Sequence, residues 1–368
     1  MEHHQQPHPS DFPTDSSITK PASQQNYMIG VLSLFSTCIF LIALVVVSSN
    51  IENGSLRANM MEHNTEIVHD SHSPSELKVA WLLSFPNSGT SYTLRVVRNA
   101  SDSTTATNYC GKNPKDIDPV VDMNGIGPHV LYDRKLPERF ILTKTHCAGK
   151  CNNYCPPSKY VITAEKFKSE CLTECTEDPS AKHGETRTRY DPSLVGKAVH
   201  LFRDPFDNII SRFHLHVKSS LKQERDDSNA FTNDPTGLQA FCVNQNAHWA
   251  EEEAEILGEA ITIAARSVPC HADFFRYVQW HNYAFEITKN LSIPAHILHY
   301  EDYRDDFDGT LSSVMDFLEL PRVVKNVTEF YWSNYTGYFT NEQRSAVAAY
   351  VKMLASHETW YELKRYFD

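Results

Sequence analysis

Three short stretches of the chain carry residue types that could bind an anion and move a proton. The first reads SFPNSGTSY and runs from Ser84 to Tyr92, between an apolar stretch and an amphipathic one. This pattern predicts a turn that connects a strand to a helix. Such a turn aims backbone N–H groups at an anion, and Ser88, Thr90 and Ser91 add hydroxyl donors. The alternative is an ordinary strand-to-helix turn; a Walker A loop is excluded because no Gly-Lys-Ser/Thr follows.

The second stretch is Lys144-Thr145-His146, at the end of a predicted strand. Side chains alternate between the faces of a strand, so Lys144 and His146 are expected on the same side. An imidazole beside a cation suits attack by a neutral hydroxyl on an anionic group. His146 would take the proton, and Lys144 would neutralise charge on the leaving oxygen. The alternative is a histidine that faces solvent at the end of a strand.

The third stretch begins with Arg203-Asp204-Pro205 and continues to Ser211. A guanidinium at a strand end can bind a phosphate through two parallel hydrogen bonds. Ser211 would add a hydroxyl from the helix that starts at Pro205. The alternative is a surface ion pair between Arg203 and either Asp204 or Asp207.

These stretches lie on a predicted α/β framework, because short apolar runs alternate with amphipathic ones. Strands are predicted at 79–85, 140–145, 198–203 and 295–299. Helices are predicted at about 91–99, from Asp204-Pro205 onward, around Leu311–Leu318, and from Thr340 to about Leu354. Asp204 is typical of an N-cap, and Pro205 is typical of the first helical position. Thr340 and Gln343 have the spacing of a capping box.

One apolar run without a charged residue, Met28–Val47, predicts a transmembrane helix. About 20 helical residues cross a hydrocarbon core of roughly 30 Å. A cleaved signal peptide normally has a shorter apolar region and a basic start. A buried core helix would not follow a polar segment like 1–26, whose composition indicates disorder. The predicted layout is a cytosolic tail (1–26), a signal-anchor (27–47), a stem (48–75) and a single catalytic domain (76–368).

Glycosylation sequons and cysteines favour a lumenal location for the domain. Eight of the nine cysteines follow the apolar run, and an oxidising lumen would let them pair. The five sequons, all after the same run, are at Asn53, Asn99, Asn290, Asn326 and Asn334. We therefore expect a single-pass type II protein of the Golgi membrane. The formal net charge of -12 argues against nucleic acid as a partner.

The three stretches together resemble the PAPS-dependent sulfotransferases. The family's 5′-phosphosulfate loop reads roughly Y-P-K-S-G-T-[TS]-W, which residues 85–92 match except at Asn87 when the aromatic Phe85 and Tyr92 count as equivalent to Tyr and Trp. Its next strand carries K-T-H, found here at 144–146. Its 3′-phosphate motif, R-[DN]-P/A-x-D-x-x-x-S, matches 203–211, and a Y-E-D motif matches 300–302. The four motifs stand in the family's order and cover roughly residues 78–320.

The resemblance implies a P-loop-kinase-like central parallel sheet flanked by helices, and direct in-line transfer from PAPS without a metal. It implies that His146 deprotonates the acceptor while Lys144 assists. Tyr92 and Tyr300 fall where the family places groups near the adenine, and core packing is the alternative for both. The residues that would bind PAPS are Pro86, Asn87, Ser88, Gly89, Thr90, Ser91, Tyr92, Arg203, Ser211 and Tyr300.

The chain departs from the family pattern at Asn87, which replaces a lysine that stabilises the bridging oxygen. Lys144, Arg95 or Lys150 could compensate. The first hypothesis is an enzyme that sulfates a hydroxyl or amine of a glycan or secreted polypeptide. The alternative is a membrane-bound protein that binds PAPS or a glycan with weak or no turnover. A nucleotide kinase ranks last because the loop lacks its lysine.

An insertion at about 147–190 is the second departure, and it holds five of the cysteines. Disulfides are the favoured interpretation, with zinc binding as the alternative, since the spacing is not C-x₂-C. Because Cys147 directly follows His146, this segment is expected to border the acceptor site. Farther on, the run Glu251-Glu252-Glu253 predicts a solvated helix face. The sequence leaves the oligomeric state open.

Overall fold

The computed structural model describes residues 76–109, 120–131, 134–150, 155–177, 184–222, 231–325, 327, 330–333 and 335–368. Within these ranges, no helix combines the length and the apolar character that a bilayer span requires. The predicted tail, signal-anchor and stem lie outside them, as do the sequons at Asn53, Asn326 and Asn334.

The strands of the described residues form one large sheet and one small one. They are β1 (Lys78–Ser84), β2 (Ala106–Thr107), β3 (His129–Val130), β4 (Phe140–Thr145), β5 (Thr173–Glu177), β6 (Glu185–Arg189), β7 (Val195–Phe202) and β8 (Ala295–His299). The large sheet has the order β3-β2-β4-β1-β7-β8, and the small one pairs β5 with β6. The predicted strands at 140–145 and 295–299 are confirmed with the same bounds.

Four of the five strand pairings in the large sheet are parallel, as predicted. The exception is β3, which runs antiparallel to β2 at the sheet edge. An antiparallel edge strand on an otherwise parallel sheet is a common arrangement. The expectation of a parallel sheet is therefore correct for the centre and wrong for this edge.

The central strand β1 is buried on both faces, which explains its continuous apolar sequence. Trp81 and Leu83 pack into the core on one side of the sheet. Ala80 and Leu82 pack into the core on the other side. The two cores therefore fix the register of β1, because a slip by one residue would exchange its faces.

Helices cover both faces of the large sheet, so the predicted α/β class is confirmed. They are α1 (Thr90–Ser101), α2 (Ala164–Cys171), α3 (Pro205–Lys222), α4 (Pro235–Leu257), α5 (Glu259–Ala265), α6 (His271–Asn290), α7 (Asp302–Asp305), α8 (Phe307–Phe317), α9 (Asn341–Leu354) and α10 (His357–Leu363). The predicted capping box is present at the start of α9, where Thr340 and Gln343 bond to each other's backbone. The carboxylate of Asp204 accepts from the N–H of Phe206 at 2.7 Å and so caps α3 as predicted.

Disulfides are confirmed as the state of several cysteines. Cys147 is bonded to Cys171, which ties the start of the insertion to the end of α2. Cys155 and Cys175 are also disulfide-bonded. Outside the insertion, a disulfide joins Cys242 and Cys270. Among the described residues, no group of three or more His, Cys, Asp or Glu side chains could hold a metal ion.

The predicted solvated face at Glu251-Glu252-Glu253 is wrong for one of its members. Glu253 is only 5% exposed, and its carboxylate lies 3.4 Å from Nε2 of His271. Glu252 is half-buried and accepts a hydrogen bond of 2.8 Å from Ser158. Glu253 therefore faces α6 and Glu252 faces the insertion, and a count of charges does not reveal these tertiary contacts.

Candidate active site

Polar or aromatic residues follow five neighbouring strands at one edge of the large sheet. In spatial order the strands are β2, β4, β1, β7 and β8, all parallel to one another. Their carboxyl ends therefore meet at the same edge, which is where α/β sheets bind ligands. The residues that follow these ends are Tyr109, His146, the 85–89 loop, Arg203 and Tyr300.

The loop between β1 and α1 has the backbone geometry of an anion site. Asn87 has φ 67° and Gly89 has φ 91°, both in the left-handed region. Asn is one of the few non-glycine residues that tolerates this region. No side chain caps α1, so the N–H groups of its first turn remain available for a ligand.

Gly89 is required at its position by two independent constraints. Its positive φ is unfavourable for any residue with a Cβ. A Cβ atom built there would also lie 2.1 Å from Cδ2 of Tyr300, far inside van der Waals contact. The ring of Tyr300 therefore lies directly over the loop, in contact with Gly89.

Two of the three hydroxyls predicted to bind an anion point into the protein instead. The Oγ of Ser88 accepts a hydrogen bond of 3.0 Å from Nδ2 of Asn208. The Oγ1 of Thr90 lies 2.6 Å from Oγ of Ser84, in a buried pair. Ser91 is exposed, and its Oγ lies 3.4 Å from Nζ of Lys144. Among these hydroxyls, Ser91 is the one placed to meet a ligand, while the others hold the loop in shape.

Arg203 is buried against the loop and is not the surface ion pair considered as its alternative. Its side chain is 8% exposed, and its Nη1 donates to the carbonyl oxygen of Asn87 at 2.7 Å. The Tyr277 hydroxyl donates to the backbone carbonyl of Arg203 at 2.6 Å and fixes the strand end. The Nε of Arg203 is buried without a partner among the described residues. A guanidinium with spare donors fits an anionic ligand at this edge.

Acidic side chains behind Arg203 have raised pKa values. Burial raises the pKa of Asp207 to about 6, and the nearby Arg203 partly opposes the shift. Burial, reinforced by repulsion from Asp207, also raises the pKa of Asp204 to about 6. The negative charge around the guanidinium therefore changes near pH 6.

His146 is held in one tautomer by the strand beside it. Its Nδ1 lies 2.7 Å from the carbonyl oxygen of Ser84. A carbonyl can only accept, so Nδ1 carries the proton and Nε2 has the free lone pair. Trp280 donates from Nε1 to the backbone carbonyl of His146 at 2.9 Å. Burial first, and then the Lys144 charge, lowers the pKa of His146 to about 3, so the imidazole is neutral at physiological pH.

Two lysines and His146 surround the ring of Tyr109. The Nζ of Lys144 lies 5.4 Å from the ring centroid, and that of Lys150 lies 3.2 Å from it. The His146 ring lies 5.5 Å from the same ring. Lys144 and His146 therefore approach the same ring, although His146 follows the end of β4 and strand alternation does not extend to it. Burial, with repulsion from Lys144 and Arg187, lowers the pKa of Lys150 to about 8.

Tyr92 and Tyr300 belong to an aromatic cluster beside the loop. Their ring centroids are 6.0 Å apart, and Phe330 lies 5.2 Å from Tyr92 and 5.1 Å from Tyr300. The guanidinium of Arg203 also lies 5.2 Å from the Tyr300 ring. Ser211 is half-buried on α3, so part of its surface is open to a ligand. Stacking of a base on these rings and a phosphate contact from Ser211 stay predictions.

Sequence reasoning missed Asn208, Trp280 and Tyr109. Asn208 is fully buried and donates to the carbonyl of Pro86 at 2.9 Å as well as to Ser88. An asparagine beside apolar residues in a first helical turn was an available signal, since Asn disfavours helices. Trp280 and Tyr109 reach the site through tertiary packing and carry no local signal.

Comparison with protein families identifies one match. The family described as "Sulfotransferase domain" matches residues 193–350. This segment contains β7, Arg203, Ser211 and Tyr300, whereas the 84–92 loop and His146 precede it. A search of curated proteins gave no match.

Proposed function

Because the chain belongs to the PAPS-dependent sulfotransferase superfamily, we propose that it transfers a sulfuryl group from PAPS to a hydroxyl or amine of a glycan or secreted polypeptide. The observation that carries this proposal is the meeting of donor-binding and proton-accepting groups at one sheet edge. The loop after β1 lies between Arg203 on one side and Lys144 on the other. Both cations therefore flank the backbone N–H groups that would face the phosphosulfate.

The reaction we propose is a direct displacement at sulfur. The Nε2 of His146 takes the proton of the acceptor hydroxyl as a bond forms between the acceptor oxygen and sulfur. The bond between sulfur and the bridging oxygen breaks, and its electron pair stays on the 5′-phosphate of PAP. Lys144 stabilises the charge on that oxygen. The bond from Nδ1 to Ser84 keeps the accepting nitrogen unprotonated in the resting state.

The loop residue Asn87 motivates the alternative, a protein that binds PAPS with weak or no turnover. The structure offers Lys144 as a substitute for the absent loop lysine, since its Nζ lies 3.4 Å from Oγ of Ser91 at the start of α1. Arg95 lies instead beside Tyr92, with its guanidinium 5.8 Å from that ring. The proposal assigns the compensating charge to Lys144.

We further propose that the enzyme works in the Golgi lumen, anchored by the 27–47 segment with its tail in the cytosol. Disulfides at Cys147–Cys171 and Cys242–Cys270 support an oxidising compartment. The sequon at Asn290 is exposed at the end of α6 and is accessible for glycosylation.

Transfer of labelled sulfate by the full-length chain in detergent tests the proposal. The chain is incubated with sulfur-labelled PAPS and with acidic glycans, neutral glycans or tyrosine peptides, and PAP binding is measured by calorimetry. We expect PAP binding together with label on at least one acceptor, and loss of the label in His146→Ala. PAP binding without label on any acceptor would favour the binding-protein alternative. Absence of PAP binding would refute the donor assignment.

A further inference from the structure

A cavity of about 860 Å³ opens beside the candidate active site, on the side away from Arg203. Thr145 and Cys147, the neighbours of His146, line its inner end. Its outer wall comes from the insertion, including α2 and the small β5–β6 sheet. The bond between Cys147 and Cys171 ties this wall to the residue after His146. The cavity therefore extends from the insertion to the residues on either side of the proposed base.

The cavity is basic in a chain whose formal net charge is -12. Its charged lining is four cations and two acids: Lys150, Lys159, Lys166, Arg187, Glu170 and Glu185. Each acid already has a basic partner, since Glu170 lies 2.6 Å from Lys166 and Glu185 lies 3.5 Å from Arg187. The remaining two, Lys150 and Lys159, have no acidic partner within 4.0 Å among the described residues. The four cations outnumber the two acids, so the described lining carries a net positive charge.

Lys150 and Lys159, which lack an ion-pair partner among the described residues, are held close together. The Nζ of Lys159 donates to the backbone carbonyl of Lys150 at 2.8 Å. Burial, followed by repulsion from Arg276, lowers the pKa of Lys159, and repulsion from Lys144 and Arg187 adds to the burial of Lys150. Crowding like charges costs free energy, which an anionic ligand would offset.

The uncharged lining contains little aliphatic surface, which suits a polar glycan better than apolar peptide side chains. Ile162 is its largest aliphatic residue. The hydroxyls of Ser158 and Thr173, also in the lining, donate to other parts of the protein. The negative charge of PAPS would be bound elsewhere, by the loop after β1 and by Arg203 after β7. The basic cavity on the acceptor side is therefore free to bind a second anionic group, that of the acceptor.

We propose that this cavity is the acceptor site and that it binds a glycan chain carrying carboxylate or sulfate groups. This inference rests on the proposed function, because it places the acceptor of that reaction. Lys159 and Arg187 contact the anionic groups of the chain, and Lys150 holds the unit nearest to His146.

Oligosaccharide binding to the full-length chain in detergent tests the inference. The probes are octasaccharides of hyaluronan (carboxylate alone), chondroitin sulfate (carboxylate and sulfate) and chitin (neutral), with an oligoglutamate peptide of matched charge. We expect the acidic glycans to bind about 10-fold or more tightly than chitin, with affinity that falls as salt rises. Equal binding of both acidic glycans assigns the recognition to carboxylate, and preference for chondroitin sulfate assigns it to sulfate.

Charge removal in the cavity is the second arm. The double variant Lys159→Gln/Arg187→Gln retains amide donors and should weaken acidic-glycan binding by about 10-fold. Lys352→Gln is the matched control, since Lys352 is exposed on α9 and does not line the cavity. PAP affinity should be unchanged in both variants. Wild-type glycan affinity in the double variant, equal binding of chitin, or tighter binding of oligoglutamate would each overturn the inference, while intact PAP binding would leave the proposed function standing.

Discussion

The guanidinium of Arg203 is bonded to the backbone carbonyl of Asn87, with Nη1 and oxygen 2.7 Å apart. The two residues follow adjacent parallel strands, β7 and β1. One side chain therefore touches the proposed phosphosulfate loop while it keeps other donors for the 3′-phosphate. The two ends of the donor would be coupled through this bond.

Replacing Arg203 with alanine should weaken PAP binding by about 1–3 kcal/mol, because charged hydrogen bonds to phosphate and the support of the loop are both lost. Calorimetry with PAP measures the change. Arg139→Ala is the control, since Arg139 is exposed, pairs with Glu319 and precedes β4 at the opposite sheet edge. Equal PAP affinity in the Arg203 variant and the wild type would remove Arg203 from the donor site.

Gly89→Ala should reduce PAP affinity by about 10-fold or more, because the new methyl group must displace either the loop or the Tyr300 ring. Gly337→Ala separates this clash from backbone strain. Gly337 has a similar φ of +85° but nothing within 4 Å of a Cβ built there. That control should lower only the free energy of unfolding, by about 1 kcal/mol. Similar PAP affinities in the two variants would argue against a tight contact at Gly89.

His146→Ala should lower turnover by about 10²–10⁴-fold while PAP affinity is retained, because the proton acceptor is lost. The pKa of His146 is lowered to about 3, so the competent neutral form persists as pH falls from 8 to 5. We therefore expect no loss of kcat/KM from His146 protonation over that interval. Normal turnover in the variant would place the base elsewhere.

Activity should fall as pH rises above about 8 if Lys150 contributes its charge to the acceptor side. The pKa of Lys150 is lowered to about 8, so the cation predominates below that pH and is lost above it. Lys150→Arg keeps the charge at every accessible pH and should move the decline upward. The KM for the acceptor, measured from pH 6 to 10 in the wild type and in Lys150→Arg, shows whether the decline has moved. An identical decline in the arginine variant would assign it to another group.

The two described disulfides should differ in their effects. Cys242→Ala/Cys270→Ala should lower the free energy of unfolding by about 3 kcal/mol through the lost crosslink, with PAP binding and the acceptor KM retained at 25 °C. Cys147→Ala/Cys171→Ala should raise the acceptor KM as well, because the disulfide that it removes joins the cavity wall to Cys147, the residue after His146. Thermal unfolding and steady-state kinetics distinguish the pairs. An unchanged acceptor KM in the second pair would separate the insertion from the acceptor site.

The sequence predicted those features that depend on local patterns. The strands that end before Phe85, His146 and Arg203 each contain a short apolar run, and the carboxyl ends of parallel strands share one edge of the sheet. It could not show that Trp280 donates to the carbonyl of His146, because the two are 134 residues apart.

The sequence also does not predict the direction in which each side chain points. Ser88 and Thr90 carry hydroxyls suited to an anion, yet both bond inside the protein. Asn208 and Ser84 provide their partners, and only the packed structure brings these residues together. The sequence does not reveal the burial of Glu253 against His271 for the same reason.

The insertion between β4 and β7 supplies the outer wall of the cavity, while the loop, Arg203 and Tyr300 arise from other strand ends. A chimaera could therefore exchange residues 150–190 for a segment of different charge and retarget the enzyme while its nucleotide chemistry continues. Because the two sites are separate, substitutions in this insertion could change the acceptor without changing how the nucleotide is bound.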